Sequence, residues 1–386
     1  MGMNRLLFDG TAMQSTQTAK FHGGGEYAKY IFRKMVEKGY TFDVVLDSNR
    51  QLSDDISKIL KESFKGKILQ ISTNAEIYKL ADKELYDIFY TAHPYEYGEY
   101  SGSSQLWGVI HGLRGIELPW DNYKHLYYAS SVKRFVAKIA GLLPPFIDYW
   151  KRKQIRRFEK VLRIPGARFV TASYHSKYSI ISFFPFLNEK DLDVIYSPFS
   201  PLTKEPCADA KDRYFLMISG NRYEKNVCRA VQAFDRLFSA GKLEGSTVKI
   251  TGCGNLPFWK RLKNRERFEL LDYVSYDELN YLYNGAFAFV YPSLNEGFGY
   301  PPLHAMSVGV PVIASSATSI PEVCGDAACY FNPTSIDDLS SRLLYVYSSD
   351  ALRKELKEKG EKRVAMLLGN QDRAIEIFLE SMFYNK

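Results

Sequence analysis

The sequence predicts an α/β protein built from two Rossmann-like, doubly wound parallel-sheet domains. Three observations carry this. The chain has 386 residues, more than one ordinary core fills and about right for two. Apolar strand-like runs alternate with amphipathic helical runs, with few tight-hairpin signals, as parallel strands joined by helical crossovers require. The stretch from Ser197-Pro198-Phe199-Ser200-Pro201 to Asp212 is rich in Pro, Ser and charge and has no apolar period, so it reads as a linker. The expected division is 1–200, 201–370, and a last segment, 371–386, packing back on the first domain.

In the first half, residues 5–8 read as a strand, and Gly23-Gly24-Gly25 opens a helix with Tyr27, Tyr30, Ile31 and Met35 at helical spacing. Further strands are expected at 42–46, 68–71, 86–91, 107–111, 167–171 and 192–196. The second half repeats the alternation, with strands at 214–219, 248–252, 271–274, 286–291 and 310–314 and helices at 225–240, 276–284, 301–308 and 336–348. Residues 374–383 are amphipathic.

Composition narrows the class. A hydrophobic content of 46% supports well-packed domains, and no apolar run is long enough to span a bilayer. The start, Met1-Gly2-Met3-Asn4-Arg5, lacks signal-peptide architecture, and Leu6 stands where a myristoylation signal needs Ser or Thr. A cytoplasmic protein is expected. The cysteines (Cys207, Cys228, Cys253, Cys324 and Cys329) show neither C-x-x-C nor metal spacing and read as reduced, buried thiols.

Charge is concentrated. Residues 131–168 hold eleven bases and two acids, a charge of +9 against +7 for the whole chain. Within 131–150, Phe135, Val136, Ile139, Leu142, Leu143, Phe146 and Ile147 interleave with bases until Pro144-Pro145 interrupts, and Trp150 borders Lys151-Arg152-Lys153. Two readings stay open: the solvated basic face of a core helix, or an element for an anionic membrane or lipid diphosphate. No nucleic-acid-binding motif accompanies the charge, so no nucleic-acid partner is expected.

The most informative run is Asn295-Glu296-Gly297-Phe298-Gly299-Tyr300-Pro301-Pro302-Leu303, between the apolar 286–291 and a helical pattern. A carboxylate and two glycines sit in the turn from the carboxyl end of a strand to a helix, where open α/β sheets bind ligands. Backbone N–H groups there favour an anion, while the Glu296 oxygens match hydroxyl donors. A phosphorylated sugar satisfies both; a helix N-cap acid is the plainer alternative. Arg222 and Lys225, in Gly220-Asn221-Arg222-Tyr223-Glu224-Lys225, follow another strand and suit phosphate oxygens, or else a solvated loop.

These motifs resemble the retaining glycosyltransferases of the GT-B fold, family four (group 1), in which two Rossmann-like domains face each other across a cleft. The resemblance rests on Pro292 to Ile313, on Ile320-Pro321-Glu322-Val323 with Gly325-Asp326-Ala327-Ala328, on the Arg222/Lys225 element, on Asp272-Tyr273-Val274-Ser275, and on Val109-Ile110-His111 and Val170-Thr171-Ala172-Ser173 in the first half. It implies a hexosyl transfer from a nucleotide-diphosphate sugar to a glycan or lipid-linked glycan of a surface polysaccharide, with retention and with neither cofactor nor metal. It implies that Glu296 meets the donor sugar while the backbone at Gly297, Phe298, Gly299 and Tyr300 approaches sugar and phosphate. Arg222 and Lys225, on the loop of Gly220 and Asn221, would hold the diphosphate, Val274 would border the base, and His111 would lie across the cleft. His93 and Gly23-Gly24-Gly25 are acceptor-side candidates, a plain turn being the alternative for the glycines.

One position departs from the family pattern. His304 stands where a second glutamate usually contacts ribose, eight residues after Glu296. An imidazole there still touches ribose, changes the nucleotide preference, or weakens catalysis; in the last case the chain is a binding subunit. A GT-B nucleotide-sugar epimerase is a further alternative.

Overall fold

Strand β1 (Leu6–Asp9) is buried at all four positions, as a strand flanked on both sides and covered on both faces must be. The computed structural model describes residues 3–15, 23–73, 75–83, 86–205, 213–254 and 256–384. By internal contacts the chain forms two units. The first is Met1–Leu113, Arg152–Phe199 and Leu368–Lys386, and the second is Arg114–Lys151 and Ser200–Leu367.

In the first half, β1 is followed by α1 (Gly23–Glu37), β2 (Asp43–Asp47), α2 (Asp54–Glu62), β3 (Ile68–Ile71), α3 (Ala75–Lys83), β4 (Ile88–Thr91) and β5 (Gln105–Ile110). Then come α4 (Arg114–Glu117), α5 (Ser131–Gly141), α6 (Pro144–Leu162), β6 (Arg168–Thr171), α7 (Tyr174–Phe183) and β7 (Leu192–Val194). The first unit's seven described strands lie in the order β3-β2-β1-β4-β5-β6-β7, all parallel. The order reverses between β1 and β4, where Phe8 pairs with Tyr90. Phe8 packs on Phe32 of α1 and on Tyr90 with ring centroids 5.7 and 5.2 Å apart.

The second half runs β8 (Arg213–Met217), α8 (Val227–Ser239), β9 (Ser246–Ile250), β10 (Phe268–Leu270), α9 (Tyr276–Asn284), β11 (Ala288–Tyr291) and α10 (Tyr300–Ser307). It continues with β12 (Val312–Ser315), α11 (Ile320–Cys324), β13 (Ala328–Phe331), α12 (Ile336–Ser348) and α13 (Asp350–Phe383). Its six described strands are parallel, in the order β10-β9-β8-β11-β12-β13, with the reversal between β8 and β11. The two doubly wound parallel sheets expected from the alternation are therefore present. At each reversal the loops leaving the strands' carboxyl ends diverge and leave a crevice.

Several details differ from the linear reading, among them the start of α13 at Asp350 rather than near 374. Residues 271–274 are not a strand; β10 lies one step earlier because Phe268, not Leu271, pairs with Val248. β13 lies outside the strand runs singled out from the sequence. Residues 114–151 group with the second unit. Leu126 lies in that unit's core, Tyr127 Oη accepts from Cys228 N at 2.8 Å, and Asp121 pairs with Arg229 at 2.5 Å.

The last turns of α13 place Ile375, Phe378, Leu379, Met382 and Phe383 in the first unit's core. Cys228, Cys253, Cys324 and Cys329 are free and buried; Cys207 and residues 206–212 of the linker lie outside the described residues. Among the described residues no helix is long and apolar enough to cross a membrane.

Candidate active site

The loop after β11 is held from below by side chains of its own unit. Glu296 N donates to Thr318 Oγ1 at 2.9 Å, and Ser319 Oγ donates to the Glu296 and Phe298 carbonyls, each at 2.9 Å. Gly299 caps α10 at φ +116°, a region where a side chain is strained. The cap is thus glycine, and Glu296 does not cap the helix. Pro301 and Pro302 supply no N–H, so the backbone donors of this corner come from the residues up to Tyr300 and then from Leu303.

The loop after β8 meets this corner. Leu294 N donates to the Glu224 carbonyl at 2.8 Å. Asn226 Nδ2 donates to the Pro292 and Pro333 carbonyls at 3.0 and 2.7 Å. Lys225 is thereby buried beside Glu296, with Nζ 2.6 Å from Oε1 and 3.1 Å from the Tyr291 hydroxyl. Arg114 donates to Glu224 Oε1 at 3.2 Å and to Glu296 Oε2 at 3.4 Å. Arg222 pairs with Glu224. Three cations against two carboxylates leave this cluster one positive charge in excess.

Burial pushes the Glu296 carboxyl up, but Lys225 and Arg114 outweigh it and hold it at about 2. Burial likewise raises Glu224, and Arg222 and Arg114 bring it below its ordinary value. Burial pulls the Lys225 ammonium down, opposed by Glu296. The corner is therefore an ionised carboxylate among cations at the mouth of the sheet. It can accept bonds from hydroxyls on one side and attract a phosphate on the other.

Gly220 lies against Ile250 and Cys253, and the Asn221 amide N–H bonds the Gly252 carbonyl at 2.8 Å. Asn221 Oδ1 is buried and has no hydrogen-bond partner among the described residues. Val274 lies in the loop before α9, next to Tyr273, which is exposed and approaches Gly252. His304, on α10, packs edge-on to Tyr283 with ring centroids 6.1 Å apart. Burial lowers its pKa to about 4, so it is neutral at pH 7.

In the first unit, the start of α1 closes on two imidazoles. A β-carbon at Gly24 would fall 2.4 Å from His93 Cε1 and 3.3 Å from His111 Nε2, so any larger residue there requires His93 to shift. His93 Nδ1 lies 2.7 Å from the Tyr95 hydroxyl. His111 Nε2 lies 3.1 Å from the Ala92 carbonyl; a carbonyl only accepts, so a neutral ring carries its hydrogen on that nitrogen. Beneath them the buried Asp9 carboxylate accepts from Thr11, from Thr91 Oγ1 at 2.7 Å and from Tyr97 Oη at 2.9 Å, tying the ends of β1 and β4 together.

Residues 202–363 match the family model described as glycosyl transferases group 1. Residues 202–363 form a group 1 glycosyltransferase domain. Over 231 residues it is 31% identical to O-antigen chain mannosyltransferase B of Escherichia coli, covering 55% of this chain and 61% of that protein. It is 28% identical over 230 residues to O-antigen chain mannosyltransferase RfbU of Salmonella typhimurium, covering 57% and 58%. The chain thus spans about three-fifths of the length of these relatives. A crystal structure of Anabaena HepE in complex with UDP and glucose superposes with a TM-score of 0.67, covering 97% of this chain and 100% of that one at 11% identity. That likeness shows the GT-B fold.

In this group 1 domain the sequence-identified Glu296, Lys225 and Arg222 share one cluster, and the Glu-Gly-Phe-Gly turn and the Gly220 loop border it. His93, His111 and Gly24 come together in the other unit. Two residues escaped the sequence reading. Arg114 lies in a segment with no motif, and no local pattern betrays its bond to Glu296. Asp9 had a weak signal, an acid ending an apolar strand. Among the described residues, no group of three His, Cys, Asp or Glu side chains is arranged to hold a metal ion.

Proposed function

We propose that this chain transfers a hexose, with retention and without a metal ion, from a nucleotide-diphosphate sugar to a glycan or lipid-linked glycan of a surface polysaccharide. Mannose is the first candidate, since both relatives are named mannosyltransferases. The observation that carries this reading is the Lys225–Glu296 pair at 2.6 Å, flanked by Arg114 and Arg222, at the carboxyl end of β11. In the reaction an acceptor hydroxyl oxygen bonds to the anomeric carbon on the face the diphosphate leaves. The glycosyl–oxygen bond breaks toward phosphate, and the hydroxyl proton passes to the leaving diphosphate. Lys225 and the arginines stabilise the charge that develops there, and such preorganised charge typically contributes about 10²–10³ in rate. Glu296, ionised, accepts from the donor's hydroxyls. Work in the cytoplasm, where nucleotide-sugars are made, fits this reading.

The test is nucleotide release from a panel of nucleotide-sugars, with and without acceptor oligosaccharides. One sugar should support release, with unchanged rate in excess chelator, and Glu296→Ala should reduce it at least about 100-fold. The glycoside product should keep the donor's anomeric configuration by NMR. Lack of release and of nucleotide binding across the panel refutes the reading.

A further inference from the structure

The helix α5 is amphipathic the wrong way round for a core helix. Its only buried residue is Ala140. Val132, Phe135, Val136 and Ile139 are 71%, 66%, 59% and 43% exposed. At about 100° per residue these four fall within an arc of about 100°. The opposite side, turned to the protein, is small or polar. Arg134 donates to the Tyr128 carbonyl at 3.3 Å, and Gly141 lies so close to Trp120 that a β-carbon there would fall 2.7 Å from its Nε1. Lys133 and Lys138 are exposed and lie on the two flanks of the apolar arc.

The exposed apolar surface continues past the break at Pro144 into α6, where Tyr149 and Trp150 are 61% and 40% exposed. The buried residues of α6, Phe158, Val161 and Leu162, are all at its far end. Residues 131–153 carry six bases (Lys133, Arg134, Lys138, Lys151, Arg152, Lys153) and one acid, Asp148.

We propose that the outward face of α5 and the first turns of α6 is a docking surface for an anionic lipid bilayer. The apolar arc enters the acyl boundary, and the flanking lysines reach the headgroups along their own apolar stems. At 11 residues α5 is about half the length that spans a bilayer, so it lies in the interface. A second copy of this chain would bring the same charge against it. The proposal stands on the surface alone and does not depend on the transfer chemistry.

The experiment is co-sedimentation of the full chain with vesicles of phosphatidylglycerol and phosphatidylcholine, and with vesicles of phosphatidylcholine alone. Binding to the anionic vesicles should be at least tenfold tighter and should weaken with salt. Phe135→Asp with Ile139→Asp should reduce it more than tenfold. Lys133→Glu with Lys138→Glu should reduce it by about fivefold or more per base. Because these side chains are exposed, melting temperature and vesicle-free nucleotide release should match wild type. Absent or equal binding to the two vesicles, or unchanged binding by both double variants, overturns the proposal. So does loss of self-association or of RNA binding in the variants while vesicle binding persists. A failure of nucleotide release with every sugar would leave the vesicle result standing.

Discussion

Lys225 Nζ lies 2.6 Å from Glu296 Oε1, with both side chains less than a tenth exposed. The two residues come from loops that leave neighbouring strands, β8 and β11, at the reversal of the second sheet. A buried pair of this kind is costly to break from one side, because the partner left behind is an unpaired charge away from water.

Lys225→Ala and Glu296→Gln should therefore each destabilise the protein by about 3 kcal/mol, read from denaturant unfolding. The double variant should cost less than the sum of the two. Strict additivity would mean that the pair is not coupled in solution.

The Glu296 carboxyl stands at about 2 in the folded chain against an ordinary 4.5. A depressed carboxyl contributes stability that is fully present above the unfolded value and is lost as pH falls through the folded one. The wild type should lose about 3 kcal/mol from this group between roughly pH 4.5 and 2. Subtracting the curve of Glu296→Gln should remove that portion of the acid limb; parallel limbs would contradict it.

His304 gives a second window. Burial depresses it from 6.5 to about 4, so the unfolded chain takes its proton first and stability falls as pH drops from about 6.5 to 4. His304→Gln should flatten stability over that range. The pH profile of nucleotide release should show no step near 6.5 that His304→Gln removes.

Arg114 is two-fifths exposed and bridges Glu224 and Glu296, so its removal should leave the fold intact. Arg114→Ala should lower the rate of nucleotide release about 10- to 100-fold, with a melting temperature close to wild type. A loss confined to stability would make Arg114 structural only.

Gly24→Ala should force His93 aside. A destabilisation of about 1–3 kcal/mol is expected from such overpacking. Transfer to acceptor should fall while nucleotide binding, measured by thermal shift, is retained. Equal loss of both would remove the first unit's histidines from the acceptor side.

The strand–turn–helix around Glu296 was readable because all its signals are local: an apolar run, two glycines, two prolines and an acid within about a dozen residues. The helices α8, α9, α10 and α12 and the opening of α1 at Gly23 were readable for the same reason, whereas α11 and the first two-thirds of α13 were not singled out. The strand expected at 271–274 was displaced because Leu271 and Phe268 have similar propensity, and only pairing with Val248 decides between them. The outward turn of α5 was equally hidden, since periodicity marks an apolar stripe without saying which way it faces.

By itself the sequence determined the alternation of elements, the two sheets and the chemistry available at their carboxyl ends, since these follow from periodicity and turn residues over short stretches. Tertiary structure alone decided which charges meet. Arg114 reaches Glu296 across 182 residues of chain, and His93 reaches Gly24 only because β4 lies beside β1. Such contacts depend on strand order and on packing around a common core, and no local preference encodes them.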